Sequence, residues 1–242
     1  NLLTLMRSVS ILGILSIAMA VVVISKGIDL SLIATLAVGT ALASVLSSGD
    51  VLPLIDLPFI YAVLIGLIFT SILCAITGIL VAYWDMASVF VTLAMAGVIY
   101  GLGRTLFIGD ELNYLPEDAL WLEYLGRGQL FGVPMPIICF LSLALLMHLL
   151  LTKTTFGKFV YSIGDSGLAA RTAGVPVRPI LVMIFIIAGL VAYFAGLLTA
   201  GAISSINTRM VSGSMIYDVL LVVVVGGIGL SGGKGGMHNV IL

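Results

Sequence analysis

ILVMIFIIAGLVAYFAGLLTAGAI, the run from Ile180 to Ile203, contains no charged residue. As a helix rising about 1.5 Å per residue, a run of this length spans the ~30 Å hydrocarbon core of a bilayer. A helix apolar on every side lies either in a protein core or in a membrane, and the rest of the chain decides between them. Of its 242 residues, 61% are hydrophobic and 9% are charged, and the mean hydropathy is +1.30. A soluble domain carries roughly 45–50% apolar and about 25% charged residues. Ten Lys and Arg with eleven Asp and Glu cannot coat a water-soluble protein of this length. The composition describes a membrane protein and excludes a disordered chain. A net charge of −1 and the lack of a basic run exclude a nucleic-acid partner.

Seven charge-poor windows are predicted as spans: Val9 to Ser25, Leu30 to Leu46, Leu57 to Val81, Met86 to Phe107, Val133 to Leu151, Ile180 to Ile203 and Ile216 to Leu230. The first two are short and meet at Lys26-Gly27-Ile28-Asp29. Gly27 suits a left-handed helix end, and Asp29 or Ser31 can cap the helix that follows. Such a turn is compatible with a broken or re-entrant segment, tolerated at depth where protein or a water-filled path surrounds it. Orientation follows from two polar connections of opposite charge. Residues 108–132 carry a balance of −4, and residues 152–179 carry +3. The positive-inside rule places the second connection in the cytoplasm and the first outside, with Lys26 agreeing. The external connection interleaves Trp121 and Tyr124 with carboxylates. It reads either as a hydrated loop anchored at the lipid boundary or as a landing surface for a soluble partner.

Two faces of small residues lie within the spans. Ala188, Ala192, Gly196 and Ala200 recur every four residues, and Gly97 and Gly101 form a GxxxG pair. Small faces let helix backbones approach closely in lipid. They serve packing within one subunit, a subunit interface or the lining of a pathway.

The cytoplasmic connection holds a compact signal. Asp165 or Ser166 is a good N-cap, Leu168 to Ala173 make about two turns, Gly174 suits the left-handed C-terminal position, and Pro176 prevents continuation. Ala169, Ala170 and Ala173 keep this short helix thin, and Arg171 lies near the negative end of its dipole. It is either a rigid element to be seated in a groove of another protein or a tidy loop between spans.

Three stretches together resemble the permease subunits of ribose-type ABC importers, in a superfamily that includes the branched-chain amino-acid permeases. They are Gly27-Ile28-Asp29-Leu30-Ser31, the stretch Thr155 to Val175 with its Ile-Gly-Asp, Ala-Ala-Arg and Ala-Gly-Val pattern, and Val225 to Gly235. The similarity runs through the whole chain and leans to the sugar side. Departures from the family pattern are Lys26 where Gly is common, Asp165-Ser166 where Gly-Asn is common, and Tyr217-Asp218 where Tyr-Glu-Leu is common. The resemblance implies an all-α, polytopic transmembrane bundle with a short cytoplasmic coupling helix, forming one permease domain over residues 1–242 that is expected to be truncated at both ends. It implies a bacterial inner-membrane location and alternating access driven by two cytoplasmic ATP-binding subunits, which would hold the ATP and Mg. The chain itself would be no enzyme and hold no cofactor. A second permease subunit, identical or sister, and an extracytoplasmic solute-binding protein complete the implied assembly. Gly164, Asp165, Leu168, Ala169, Ala170, Arg171 and Gly174 would meet the ATPase. Asp29, Ser31, Gly226 and Ser231 are pathway candidates by resemblance together with the logic of broken helices.

Other chemistries find no support. Gly232-Gly233-Lys234-Gly235-Gly236 lacks the Ser or Thr and the spacing of a phosphate loop. It reads as a tight turn allowing close helix contact rather than an anion site. Cys74 and Cys139 lie in apolar stretches and read as small buried residues. His148 and His238 have no acidic or thiol companions, so no metal site is expected. An ion-coupled secondary transporter is the competing class, and the spans lack the midplane charges it needs.

Overall fold

A computed structural model describes residues 2–48, 58–107, 113–206 and 215–241. Leu57, the expected start of the third span, lies outside them, as do Asp110, Glu111 and Arg209. The described chain is helical: α1 (Leu2–Ile24), α2 (Leu32–Ser48), α3 (Phe59–Tyr83), α4 (Ser88–Leu102), α5 (Leu120–Arg127), α6 (Met135–Lys153), α7 (Thr155–Thr172), α8 (Val177–Ile203), α9 (Met215–Val225) and α10 (His238–Ile241). Two small antiparallel pairs accompany them, β1 (Asn113–Tyr114) with β4 (Ser205–Ile206) and β2 (Gln129–Leu130) with β3 (Val133–Pro134). Five of the seven expected spans, on α1, α3, α4, α6 and α8, are helices long and apolar enough to cross a membrane. The chain is a multi-pass membrane bundle.

The other two expected spans are shorter. The last stops at Val225, after 11 residues or about 17 Å of helix, instead of continuing to Leu230. Gly227 takes φ +90 there, a conformation that ends a right-handed helix. The turn after α1 also differs from expectation. Lys26, not Gly27, is the left-handed residue, at φ +69. The reason is hydrogen-bond register: Lys26 N donates to the Val23 carbonyl at 2.9 Å and Gly27 N to the Val22 carbonyl at 3.0 Å. This closure puts the left-handed position one residue earlier.

α1 and α8 form the interior. Ile14, Leu15 and every residue from Ile17 to Ile24 in α1 are fully buried. α8 packs against α1, α2, α3 and α5, and its small face explains how. Ala188, Ala192 and Ala200 are buried, and a Cβ on Gly196 would stand 2.9 Å from the Leu36 carbonyl oxygen of α2. α3 follows the reverse of a soluble helix. Ala62, Gly66, Thr70 and Thr77 face inward, whereas Ile60, Leu64, Ile68, Ile72 and Ile76 are exposed at helical spacing, as lipid-facing residues are. Gly97 and Gly101 behave differently from the α8 face. Both are exposed, and a Cβ on either would meet nothing within 4 Å, so neither packs against another described helix.

The ends of the bundle are distinct. At one end the described part of the acidic connection, residues 113–132, folds as a cap on the bundle. Asp118 Oδ2 accepts the Phe59 amide at 2.7 Å, Ser204 Oγ donates to Glu123 at 2.6 Å, and Arg127 Nε donates to the Ala202 carbonyl at 2.7 Å. Leu122 is buried beneath it, while Trp121 and Tyr124 stay exposed. At the opposite end lie the α1–α2 turn, the α3–α4 turn, α7 and the glycine-rich segment. This is the end that carries the positive connection.

Candidate functional site

α7 is hydrogen-bonded as one helix but is broken at Ser166, whose φ of −153 and ψ of 102 are extended. The sequence reading anticipated the short helix after the break and missed Thr155–Asp165 before it. That first half is capped by Thr154, whose Oγ1 accepts the Gly157 amide at 3.3 Å. It is fixed by backbone contacts that only glycine permits. A Cβ on Gly164 would overlap the Ile24 carbonyl and the Gly233 amide. Gly233 N donates to that same Ile24 carbonyl at 2.9 Å, and Tyr161 donates from its hydroxyl to the Gly235 carbonyl at 2.8 Å. Gly232, Gly233 and Gly235 all have positive φ, so the glycine-rich segment is a turn wrapped around the end of α1 and the first half of α7.

The second half begins at Ser166, not Asp165: Ser166 Oγ accepts the Ala169 amide at 3.3 Å. It closes as expected. Gly174 has φ +84, and Val175 N donates back to the Ala170 carbonyl at 3.0 Å, satisfying carbonyls that a free helix end would leave bare. Its side chains divide into two faces. Leu168 is 77% exposed, and Asp165, Ala169, Arg171 and Gly174 are also exposed. Gly164 and Ala170 are buried. Gly164 and Ala170 therefore face the bundle and are not available as contacts for another protein, a correction to the expected docking set.

Arg171 has a partner that the sequence did not disclose. Its Nη2 donates to Asp85 Oδ1 at 3.0 Å, both side chains being largely exposed. Asp85 lies in the α3–α4 turn, with φ +49. Nearby, the Arg178 guanidinium sits 5.4 Å from the centre of the Tyr83 ring. The retrievable signal was charge complementarity, one acidic residue in a short turn at the end that carries the positive connection. Between the second half of α7 and the bundle lies a cavity of about 420 Å³, lined by Lys26, Met86, Ser88, Leu168 and Arg171 among others.

The four pathway candidates do not converge. Asp29 and Ser31 are 1% exposed and bond to each other, the Asp29 carboxylate accepting the Ser31 amide at 2.8 Å and the Ser31 hydroxyl at 2.5 Å. Burial pushes the Asp29 carboxyl up to about 6, against the lowering effect of the two Ser31 bonds. Their turn is pinned to α4, with Ile28 N donating to Ser88 Oγ at 3.0 Å and Leu30 N to Thr92 Oγ1 at 3.1 Å. Gly226 is held elsewhere, its carbonyl accepting from Asn239 Nδ2 at 2.6 Å, and Ser231 is exposed. A second cavity, of about 470 Å³, is bounded by the α1–α2 turn, α2, α4 and the first turn of α9 through Leu30, Ile33, Ala37, Leu93, Tyr100 and Tyr217. Tyr100 and Tyr217 were not among the candidates. Read singly they resemble boundary aromatics, and only the fold brings them together.

Residues 1–236 match the family described as branched-chain amino acid transport system / permease component. The chain is 33% identical over 235 residues to the ribose import permease protein RbsC of Bacillus subtilis, covering 97% of this chain and 70% of that protein. It is 29% identical over 240 residues to the ribose import permease protein RbsC of Escherichia coli strain K12, covering 97% and 71%. It is 30% identical over 242 residues to the L-arabinose ABC transporter permease protein AraH of Azospirillum brasilense, covering 100% and 68%. No solved structure is significantly similar. The multi-pass bundle, the capped helix outside it and a match over nearly all of its length together show that the chain belongs to this family of transport-system permease components.

Proposed function

We propose that the chain is the membrane-spanning permease subunit of an ATP-driven importer in a bacterial inner membrane, carrying a small sugar handed over by an extracytoplasmic binding protein. The observation that carries this reading is the likeness to ribose and arabinose permeases across nearly the entire chain. A feature of α7 supports a seat for the motor. The helix 167–173 is capped at both ends, lies on the positive end of the bundle and exposes Leu168. Two cytoplasmic ATP-binding subunits would seat this helix, one on each of two permease subunits, and would hold the ATP and Mg. Its docking contacts are Asp165, Leu168, Ala169 and Gly174, whereas Arg171 is turned to Asp85.

The solute would pass by the cavity of about 470 Å³, a volume within the ~300–1,000 Å³ of small-molecule sites. Tyr100 and Tyr217 offer ring faces and hydroxyls to a sugar, and the apolar remainder binds weakly, as a conduit should. Asp29 and Ser31 then serve the cavity from behind by fixing Leu30, which lines it. The open face at Gly97 and Gly101 fits the approach of a second permease subunit. A test is disulfide cross-linking from Leu168→Cys to single-cysteine ATPase subunits in membranes holding the whole transporter. Cross-links that change yield with ATP support the seat, and none at any ATPase position would remove it.

A further inference from the structure

We propose that Asp85 is the positioning residue that receives the motion of the 167–173 helix, passing it through the α3–α4 turn to α4 and the cavity that α4 lines. The proposal rests on the reading of 167–173 as the ATPase seat and adds where the displacement goes.

The two halves of α7 belong to different bodies. The first is locked to α1 and the glycine-rich turn by backbone contacts at Gly164 and Gly233, so it cannot shift without them. The second begins after the extended residue Ser166 and has a cavity of about 420 Å³ behind it, which leaves room to move as a rigid unit. Its hydroxyls bond within the segment, Ser166 to the Ala169 amide and Thr172 to the Ala169 carbonyl. Arg171 is different, reaching across to Asp85.

Asp85 sits where the chain reverses between α3 and α4, in the left-handed region that few non-glycine residues occupy. α4 begins at Ser88, and its residues Ser88 and Thr92 hold the backbone of Ile28 and Leu30. Farther along, Leu93 and Tyr100 of α4 face the larger cavity together with Leu30. A pull on Asp85 therefore acts on two walls of that cavity at once. An ion pair this exposed contributes little to folding. Its loss should leave the subunit intact and register in coupling alone.

The experiment uses the complete transporter in proteoliposomes and reads two quantities, sugar taken up per ATP hydrolysed and the cross-link of Leu168→Cys to the ATPase. Asp85→Arg is expected to lower uptake per ATP about fivefold, the low end of ordinary coupling between sites, while the cross-link forms as before. Combining Asp85→Arg with Arg171→Asp is expected to restore at least half of the loss. Unchanged uptake per ATP in Asp85→Arg, or a double variant no better than Asp85→Arg alone, would overturn the proposal. A missing cross-link with Asp85 and Arg171 intact would instead remove the seat, and the two failures are thus told apart.

Discussion

Ser166 Oγ accepts a 3.3 Å hydrogen bond from the Ala169 amide, at the one residue where α7 leaves helical geometry. This bond makes residues 167–173 a separate helix rather than a frayed end. Ser166→Ala removes it and should weaken the segment by about 1 kcal/mol. Hydrogen exchange should then accelerate at the amides of residues 168–174 and not in α1 or α8. Ser166→Asp, which keeps an acceptor, should exchange like the parent. Equal exchange in Ser166→Ala and the parent would mean that packing, not the cap, holds the segment.

Asp29 gives a pH dependence. Its carboxyl titrates near 6 in the fold against an ordinary 3.8, so between those values the folded protein holds more protons than the unfolded chain. Stability is therefore greatest at the acid end and falls as pH rises through this window. Asp29→Asn keeps an acceptor for the Ser31 amide and has no charge to bury. It should flatten the thermal-unfolding profile between pH 4 and pH 6 by about the size of the desolvation effect. Asp29→Ala leaves the Ser31 amide without its acceptor and should be less stable than Asp29→Asn by about 1–3 kcal/mol at every pH. A parent profile that rises with pH would contradict this assignment.

Much of this fold could be read from the sequence because the long spans announce themselves as windows without charge, and lipid requires such windows to be helical. The end of α9 could not. Gly226 and Gly227 sit inside an apolar window, and hydropathy carries no information about the positive φ of Gly227. The first half of α7 left a usable trace in Phe156, Val160 and Ile163, spaced to share one helical face, which the surrounding charges obscured. The cap of residues 166–174 was legible because Ser, Gly and Pro each have a local steric role. The Arg171–Asp85 pair was not, since its partners lie 86 residues apart and charge complementarity alone does not say which cation of the positive connection Asp85 meets. In the acidic connection, the bonds of Asp118 to the start of α3 and of Glu123 to the end of α8 were not legible, because only tertiary structure brings those partners together.

The glycines separate two roles. Gly164→Val would drive its branched side chain into the backbone at Ile24 and Gly233 and should cost about 1–3 kcal/mol in the isolated subunit, read by thermal unfolding in detergent. Gly97→Leu and Gly101→Leu have open space around them and should leave that unfolding unchanged. They should weaken self-association, measured by light scattering of the purified subunit. If the dimer survives both substitutions, the second subunit meets another face.

ATP-dependent uptake of labelled ribose or arabinose is the most direct measurement, using vesicles that contain the subunit with its ATPase, ATP inside and the binding protein outside. Uptake should require ATP and the binding protein, persist when ion gradients are collapsed, and disappear when residues 167–173 are replaced by a glycine-serine linker. Sugar uptake driven by an ion gradient without the ATPase, or uptake undiminished by that replacement, would contradict the proposed mechanism.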